Sequence, residues 1–223
     1  MEECCLELNA TINPKVVGNK AYNLAKFIKT ARVPKGFVVT TCVYNSLKKV
    51  LSNRGAFEYA KLYANDKLPK VAYLDKISEC FQDIEFEASV RDEILDKAKH
   101  IGERLVVRSS ATQEDSLIRS FAGIFDSFLD VKPLDVTTAI KNVFKSMFSP
   151  RAIKYIVENG INIEKMEMAC IVQEFIPNAK YGVGFFFEKE ANRYCVIEAV
   201  VNDPSGVTSG SKKHDTYIKN SPS

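Results

Sequence analysis

Residues Leu105 to Asp130 read LVVRSSATQEDSLIRSFAGIFDSFLD. The segment opens as an apolar strand, runs into a polar loop holding Arg108, Ser109, Ser110 and Thr112, and passes Ser120-Phe121-Ala122-Gly123. It leaves as a second apolar strand ending near Val131. A cation, several hydroxyls and small flexible residues between two strands suit an anionic, oxygen-rich ligand. Arginine presents a planar fork of donors, and neighbouring backbone N–H groups can cradle phosphate oxygens. A hydrophilic connection facing water has the same composition, and there is no glycine-rich Walker-type loop.

Composition narrows the class. The chain has 223 residues, 46% apolar and 26% charged, enough for one large domain or two lobes around a real core. Its 31 basic and 28 acidic residues leave a spread-out excess of three positive charges. With no Lys/Arg block, neither nucleic acid nor a membrane surface is an expected partner. No apolar run approaches the ~20 residues that span a bilayer. The start, MEECCLELN, carries glutamates where a secretory signal has a basic region. Six cysteines, at 4, 5, 42, 80, 170 and 195, form no CxxC pair, and His100 and His214 lack a neighbouring ligand pattern, which argues against zinc. These features predict a reducing, cytoplasmic setting.

Residues 1–18 read as irregular, with a turn at Asn13-Pro14. A helix is predicted from Asn19, as N-cap, to Thr30, with Leu24, Phe27 and Ile28 on one face. It puts Lys20 in the first turn, at the positive end of the helix dipole, a poor position for lysine unless it meets an anion. A solvated surface lysine is the other reading. After Pro34-Lys35-Gly36 comes a buried strand, Phe37 to Thr40, then a helix capped by Thr40 or Thr41. Further helices fall at about 55–64, 72–83, 86–100 (stopped by Gly102), 134–148 and 151–159 (stopped by Gly160). His100 reads as a surface residue complementing a helix C-terminus. Met166 to Ile176 is a strand whose apolar interior, Ala169 to Val172, predicts cover on both faces. Gln173 and Glu174 fall at its exit, where an amide can read a heterocycle edge, or where a strand simply ends. Strands at 182–188 and 194–200 pair across a charged turn, Lys189 to Asn192, residues 202–206 turn, and Thr216 to Ile218 hints at another strand. Helices and strands without strict alternation indicate α+β with antiparallel sheet.

In this order the segments resemble the N-terminal ATP-binding domain of the pyruvate phosphate dikinase, phosphoenolpyruvate synthase and rifampicin phosphotransferase superfamily. The family's GGKGANL-like segment is here GNKAYNL, Gly18 to Leu24, and its VPxGFVVTT segment is Val33 to Thr41. VRSSATxED with SFAG matches Val107 to Asp115 and Ser120 to Gly123. RAxxYxxxxGI matches Arg151 to Ile161, VQxxI matches Val172 to Ile176, and a PDTY-like end matches Asp215 to Tyr217. The resemblance implies an ATP-grasp-like fold with flanking helices, divided into an N-terminal lobe, 1–177, and a truncated second lobe, 178–223. It also implies that Lys20 and Arg108 contact ATP phosphates as the catalytic cations. Gly123 and Ser127 would line the nucleotide site, and Gln173, Glu174 and Ile176 would meet the adenine.

Departures qualify that picture. Asn19 and Ala21 stand where the family has glycines, Tyr22 is bulky, and the GLGE turn appears as Asn202-Asp203-Pro204-Ser205. The family's metal-binding Glu and Gln-x-Arg pair have no counterpart here, so the ligands of Mg2+ are expected outside this chain, with the phosphohistidine domain and the pyruvate-type substrate domain. Neither histidine sits in a phosphohistidine motif. The leading expectation is the ATP-binding domain of a phosphotransferase that phosphorylates a histidine on a separate domain. The rival is a non-catalytic nucleotide-binding or regulatory module, and an independent small-molecule kinase would need the missing metal ligands.

Overall fold

Five strands, β1 (Cys5–Glu7), β2 (Gly36–Val39), β3 (Leu105–Ala111), β4 (Ser127–Val131) and β5 (Met168–Glu174), form a sheet in the order β1-β2-β5-β3-β4. Every neighbouring pair is antiparallel. The computed structural model describes residues 3–9, 13–113, 121, 123–177, 179–189, 192–201 and 215–222. The chain divides into two compact units, Met1–Phe175 and Ile176–Ser223. The sheet belongs to the first.

Pleating sends alternate residues of β5 to opposite faces, and both faces are covered, as the unbroken apolar run predicts. On one face, Val38, Ala169 and Ile171 pack with Leu8 and with Val17 and Ala21 of α1 (Pro14–Phe27). The other face carries Phe37, Val39, Leu105, Val107, Cys170 and Val172 into the main core. That core is completed by α2 (Thr41–Asn53), α3 (Ala56–Ala64), α4 (Lys70–Phe81), α5 (Ala88–Ile101), α6 (Val136–Ser146) and α7 (Pro150–Glu158). Aromatic edges fill it: Tyr44 meets Phe144 at 5.3 Å between ring centres, and Phe57 meets Phe148 at 5.3 Å. The Tyr73 hydroxyl donates to the Phe148 carbonyl at 2.6 Å, so its one buried polar atom is satisfied. Burying each such large apolar side chain contributes roughly 1.5–3 kcal/mol before entropy is counted.

The helices from α2 to α7 lie within a few residues of the expected spans, because their apolar stripes face a core that wants them. Thr40 stands at the N-cap of α2, Gly102 at the C-cap of α5, and Gly160 takes a positive φ of 63° after α7. The expected helix at 134–148 begins as a 3-10 turn, Pro133–Asp135, before α6. His100 ends α5 on the surface, its Nδ1 2.7 Å from the Asp96 carbonyl.

Two expectations need correction. Residues 1–18 are not irregular throughout. Cys5 to Glu7 pair with Val39 to Phe37 as a short edge strand, and α1 starts at Pro14 with the Asn13 side chain accepting from the Lys15 amide. Gly18, at φ 72° and ψ 164°, then breaks the helical path, so the regular helix restarts at the predicted place. Asn13 is the side-chain cap of the turn that precedes this break. Likewise, Arg108 to Ser110 are strand rather than loop. β3 runs on to Ala111 because Ser109, Ser110 and Ala111 pair with Cys170, Ala169 and Met168.

The second unit is an antiparallel sheet of β6 (Lys180–Lys189), β7 (Asn192–Val201) and β8 (Asp215–Pro222) in the order β6-β7-β8. The predicted hairpin is present with Lys189 opposite Asn192, and the hinted strand at Thr216 is longer than expected. Ile197, Tyr217 and Ile218 are exposed. Glu114, Asp115, Ser120, Ala122, residues 202–206 and His214 lie outside the described residues. Among the described residues, no helix is long and apolar enough to cross a membrane.

Candidate functional site

β3 carries Arg108 between two partners, Ile171 on β5 and Ser127 on β4. Cross-strand partners project to the same face, and Ile171 belongs to the cluster beneath α1. Arg108 and Ser127 therefore share the α1 face of the sheet, the arginine half-buried and the serine exposed. Lys20 comes over the same strand from the first turn after Gly18. Its ammonium donates to the Ser109 carbonyl at 2.9 Å and lies 3.4 Å from the Ser109 hydroxyl. Both of these acceptors are neutral oxygens, and they orient the charged ammonium. That charge reaches into the sheet: burial drives the Cys170 thiol well above its ordinary range, and Lys20 pulls in the opposite direction.

The lysine is placed by a close backbone contact. A Cβ on Gly18 would fall 1.9 Å from the Ser110 carbonyl oxygen and 2.5 Å from its hydroxyl. Ser110, fully buried, links the two segments. Its hydroxyl donates to the Val17 carbonyl at 2.7 Å and accepts from the Ala21 amide at 3.0 Å. Ser110 thus satisfies groups on both sides of the break in α1. The residues that replace family glycines also have internal roles. The Asn19 side chain donates to the Thr112 carbonyl at 3.1 Å, and Ala21 is buried against the sheet. Tyr22 packs at the margin of the same cluster, with the Lys26 ammonium 4.0 Å from its ring centre.

Gln173 stands two residues along β5 from Ile171 and pairs with Val106 and Gly36, so it lies on the Arg108 face, diagonal to the arginine. Sheet geometry puts such diagonal neighbours about 7–8 Å apart. Only 3% of Gln173 is exposed, and its Nε2 donates to the Pro34 carbonyl at 3.1 Å. An amide read from sequence as a strand-exit group is thus held inside the protein by the Pro34-Lys35-Gly36 segment. The backbones are close there: a Cβ on Gly36 would meet the Val172 carbonyl oxygen at 2.4 Å. Glu174 pairs with Leu105, hence on the opposite face, and its amide donates to the Lys35 carbonyl at 2.9 Å. Ile176 is the first residue of the second unit. It is exposed, and its carbonyl accepts from the Tyr181 hydroxyl at 3.4 Å.

Gly123 sits at φ 69° in an exposed turn closed by the Ile124 amide on the Phe121 carbonyl at 3.0 Å. The turn is anchored from below. Phe121 is buried, 5.5 Å from Phe125 and 4.9 Å from Tyr155 between ring centres. From α7, Arg151 donates to the Ile124 carbonyl at 3.2 Å and to Asp126 at 2.9 Å. Sequence reasoning did not single out Ser110 or Arg151 as builders of this region. The RAxxY segment was the available signal for the second. Lys20, Arg108, Ser127 and Gln173 are thus gathered on one face, while Glu174 points away. Among the described residues no group of three or more His, Cys, Asp or Glu could hold a metal ion.

Residues 14–223 match the family model described as pyruvate phosphate dikinase, AMP/ATP-binding domain, and the chain belongs to this family. Among curated relatives, the "Probable phosphoenolpyruvate synthase" of Methanocaldococcus jannaschii is 31% identical over 87% of this chain and 16% of that protein. The protein of the same name from Staphylothermus marinus is 32% identical over 91% of this chain and 26% of its own length. The "Rifampicin phosphotransferase" of Bacillus cereus is 28% identical over 91% of this chain and 24% of that protein. The chain spans 16–26% of the length of these three relatives.

Proposed function

We propose that this chain is the ATP-binding part of a phosphotransferase of the phosphoenolpyruvate synthase or pyruvate phosphate dikinase kind, with an ATP-grasp-like architecture of two lobes, 1–177 and 178–223. The observation that carries the reading is the arrival of the Lys20 ammonium on Ser109, beside Arg108 and on the sheet face shared with Ser127 and Gln173. In this reading Lys20 and Arg108 hold phosphate oxygens, and preorganised positive charge stabilises the negative charge of the transferring group. Ser127 and the Gly123 turn border the phosphates. Gln173, Glu174 and Ile176 supply the strand end toward the base, Glu174 through its backbone, since its side chain faces away.

ATP supplies the phosphoryl group. The acceptor in the proposed cycle is a histidine of a separate domain, which passes phosphate to a pyruvate-type acceptor on another. Magnesium is assigned to ligands beyond the residues described above, and the setting is cytoplasmic.

Calorimetric titration of the chain with ATP and with adenosine tests the proposal. The expected affinity for ATP is about 10⁻⁴ M, or −5 kcal/mol. Arg108→Ala is expected to weaken ATP at least tenfold and leave adenosine unchanged. The comparison belongs at low salt, where exposed charge–phosphate contacts are least screened. No heat from either ligand at millimolar concentration would overturn ATP binding and favour the regulatory reading. Equal loss of both ligands in Arg108→Ala would overturn the phosphate role.

A further inference from the structure

Cys4, just before β1, and Cys42, in the first turn of α2, bring their sulfurs to 3.1 Å. A disulfide needs about 2.05 Å, so the remaining gap of roughly 1 Å lies within reach of small side-chain rotations. Their backbones are already held together. The Thr40 amide donates to the Cys4 carbonyl at 2.9 Å, the Thr40 hydroxyl lies 2.9 Å from the Glu3 carbonyl oxygen and 3.1 Å from the Cys42 sulfur, and Cys5 pairs with Val39. Both thiols are partly exposed, whereas Cys5, Cys80 and Cys170 are buried. Cys195, in the second unit, is also partly exposed, and the peptide map reads it apart from the Cys4 and Cys42 peptides.

We propose that Cys4 and Cys42 form a thiol–disulfide exchange site that closes to an intramolecular disulfide with a small-molecule disulfide as oxidant. The Cys42 sulfur gives up its proton and attacks one sulfur of the reagent. This makes a mixed disulfide and releases one reagent thiolate, which takes the proton. The Cys4 sulfur then attacks Cys42, its own proton going to the departing second reagent thiol. Two protein thiols are oxidised by two electrons and one reagent disulfide is reduced to two thiols. Burial, the Cys42 hydrogen bond, and the charges of Glu93 and Glu87 push the Cys4 thiol up to about 12. The ring so closed contains α1 with Gly18 and Lys20, so oxidation tethers the segment that carries the lysine. The inference does not depend on nucleotide binding.

The test is equilibration of the full chain with oxidised glutathione, followed by intact and peptide mass spectrometry under non-reducing conditions and by thermal unfolding. The expected result is loss of two hydrogens without bound glutathione, a cross-linked peptide joining Cys4 to Cys42, and a rise in melting temperature of about 5–15 °C that dithiothreitol reverses. Cys4→Ser and Cys42→Ser should each retain a single glutathione adduct on the remaining sulfur, with no such rise. A wild-type chain that accumulates glutathione on Cys4 or Cys42 without the cross-link overturns the proposal. So does a disulfide mapped to another pair, or no oxidation at all in excess reagent. The wild-type mapping decides the matter even if a variant fails to fold.

Discussion

Gly18 and Ser110 touch backbone to backbone. No side chain on Gly18 could fit without displacing the Ser110 carbonyl, and the φ of 72° is one that L-residues rarely adopt. The break in α1 and the course of β3 therefore depend on each other, and Lys20 inherits its place from that contact. Gly18→Ala is expected to cost about 2–4 kcal/mol, combining strained dihedrals with a backbone clash. Urea denaturation followed by far-UV circular dichroism would measure it. A loss under 0.5 kcal/mol would show that the two segments can separate.

Lys20 gives a sharper test of the site than of the fold. Methionine keeps the length and apolar stem while removing the charge and the hydrogen bond to Ser109. Lys20→Met is expected to lower ATP affinity about tenfold or more, the worth of a charge-assisted contact, while adenosine binding and the unfolding midpoint stay near wild type. A variant that loses stability but not ATP affinity would reassign Lys20 to holding α1 on β3.

Acid titration probes the edge of the sheet. The hydrogen bond from Arg104 holds the Asp130 carboxyl below its ordinary value of 3.8, against a small opposing effect of burial and with help from the charges of Arg104 and Lys132. A lowered folded-state value means that this contribution to stability is present above pH 3.8 and is lost as pH falls through the lowered value. In Arg104→Ala, the Asp130 carboxyl resonance should titrate at higher pH than in wild type. The stability difference between the two proteins should shrink as the solution is acidified below 3.8. An unchanged Asp130 titration would show that Arg104 does not set it.

Amphipathic helices were legible because their apolar periodicity and their glycine stops are local. The covered sheet at Ala169 to Val172 was legible from its unbroken apolar run, and the place of the Lys20 helix from Gly18 and Asn19. What sequence left hidden depends on partners distant along the chain. β1 is three residues long and exists only because Val39 to Phe37 lie beside it. Ser109 to Ala111 look like a polar loop until Ser110 is seen satisfying Val17 and Ala21. Gln173 looks available until Pro34 claims its amide. In each case a polar or short segment follows a tertiary hydrogen bond rather than its own propensity.

The sheet order also dictates a schedule for synthesis. β5 is the central strand, yet it is the last of the five along the chain, about 135 residues after β2. At 5–20 residues per second, β2 waits roughly 7–27 s on the ribosome for its inner neighbour, and β3 waits on the same strand. During that interval Phe37, Val39 and Val107 have no complete sheet to shelter in, and two strand edges remain open to other chains. The nascent chain therefore makes its greatest demand on chaperones just before Glu174 emerges, and a pause upstream of Met168 should aggregate it more than a pause after Phe175.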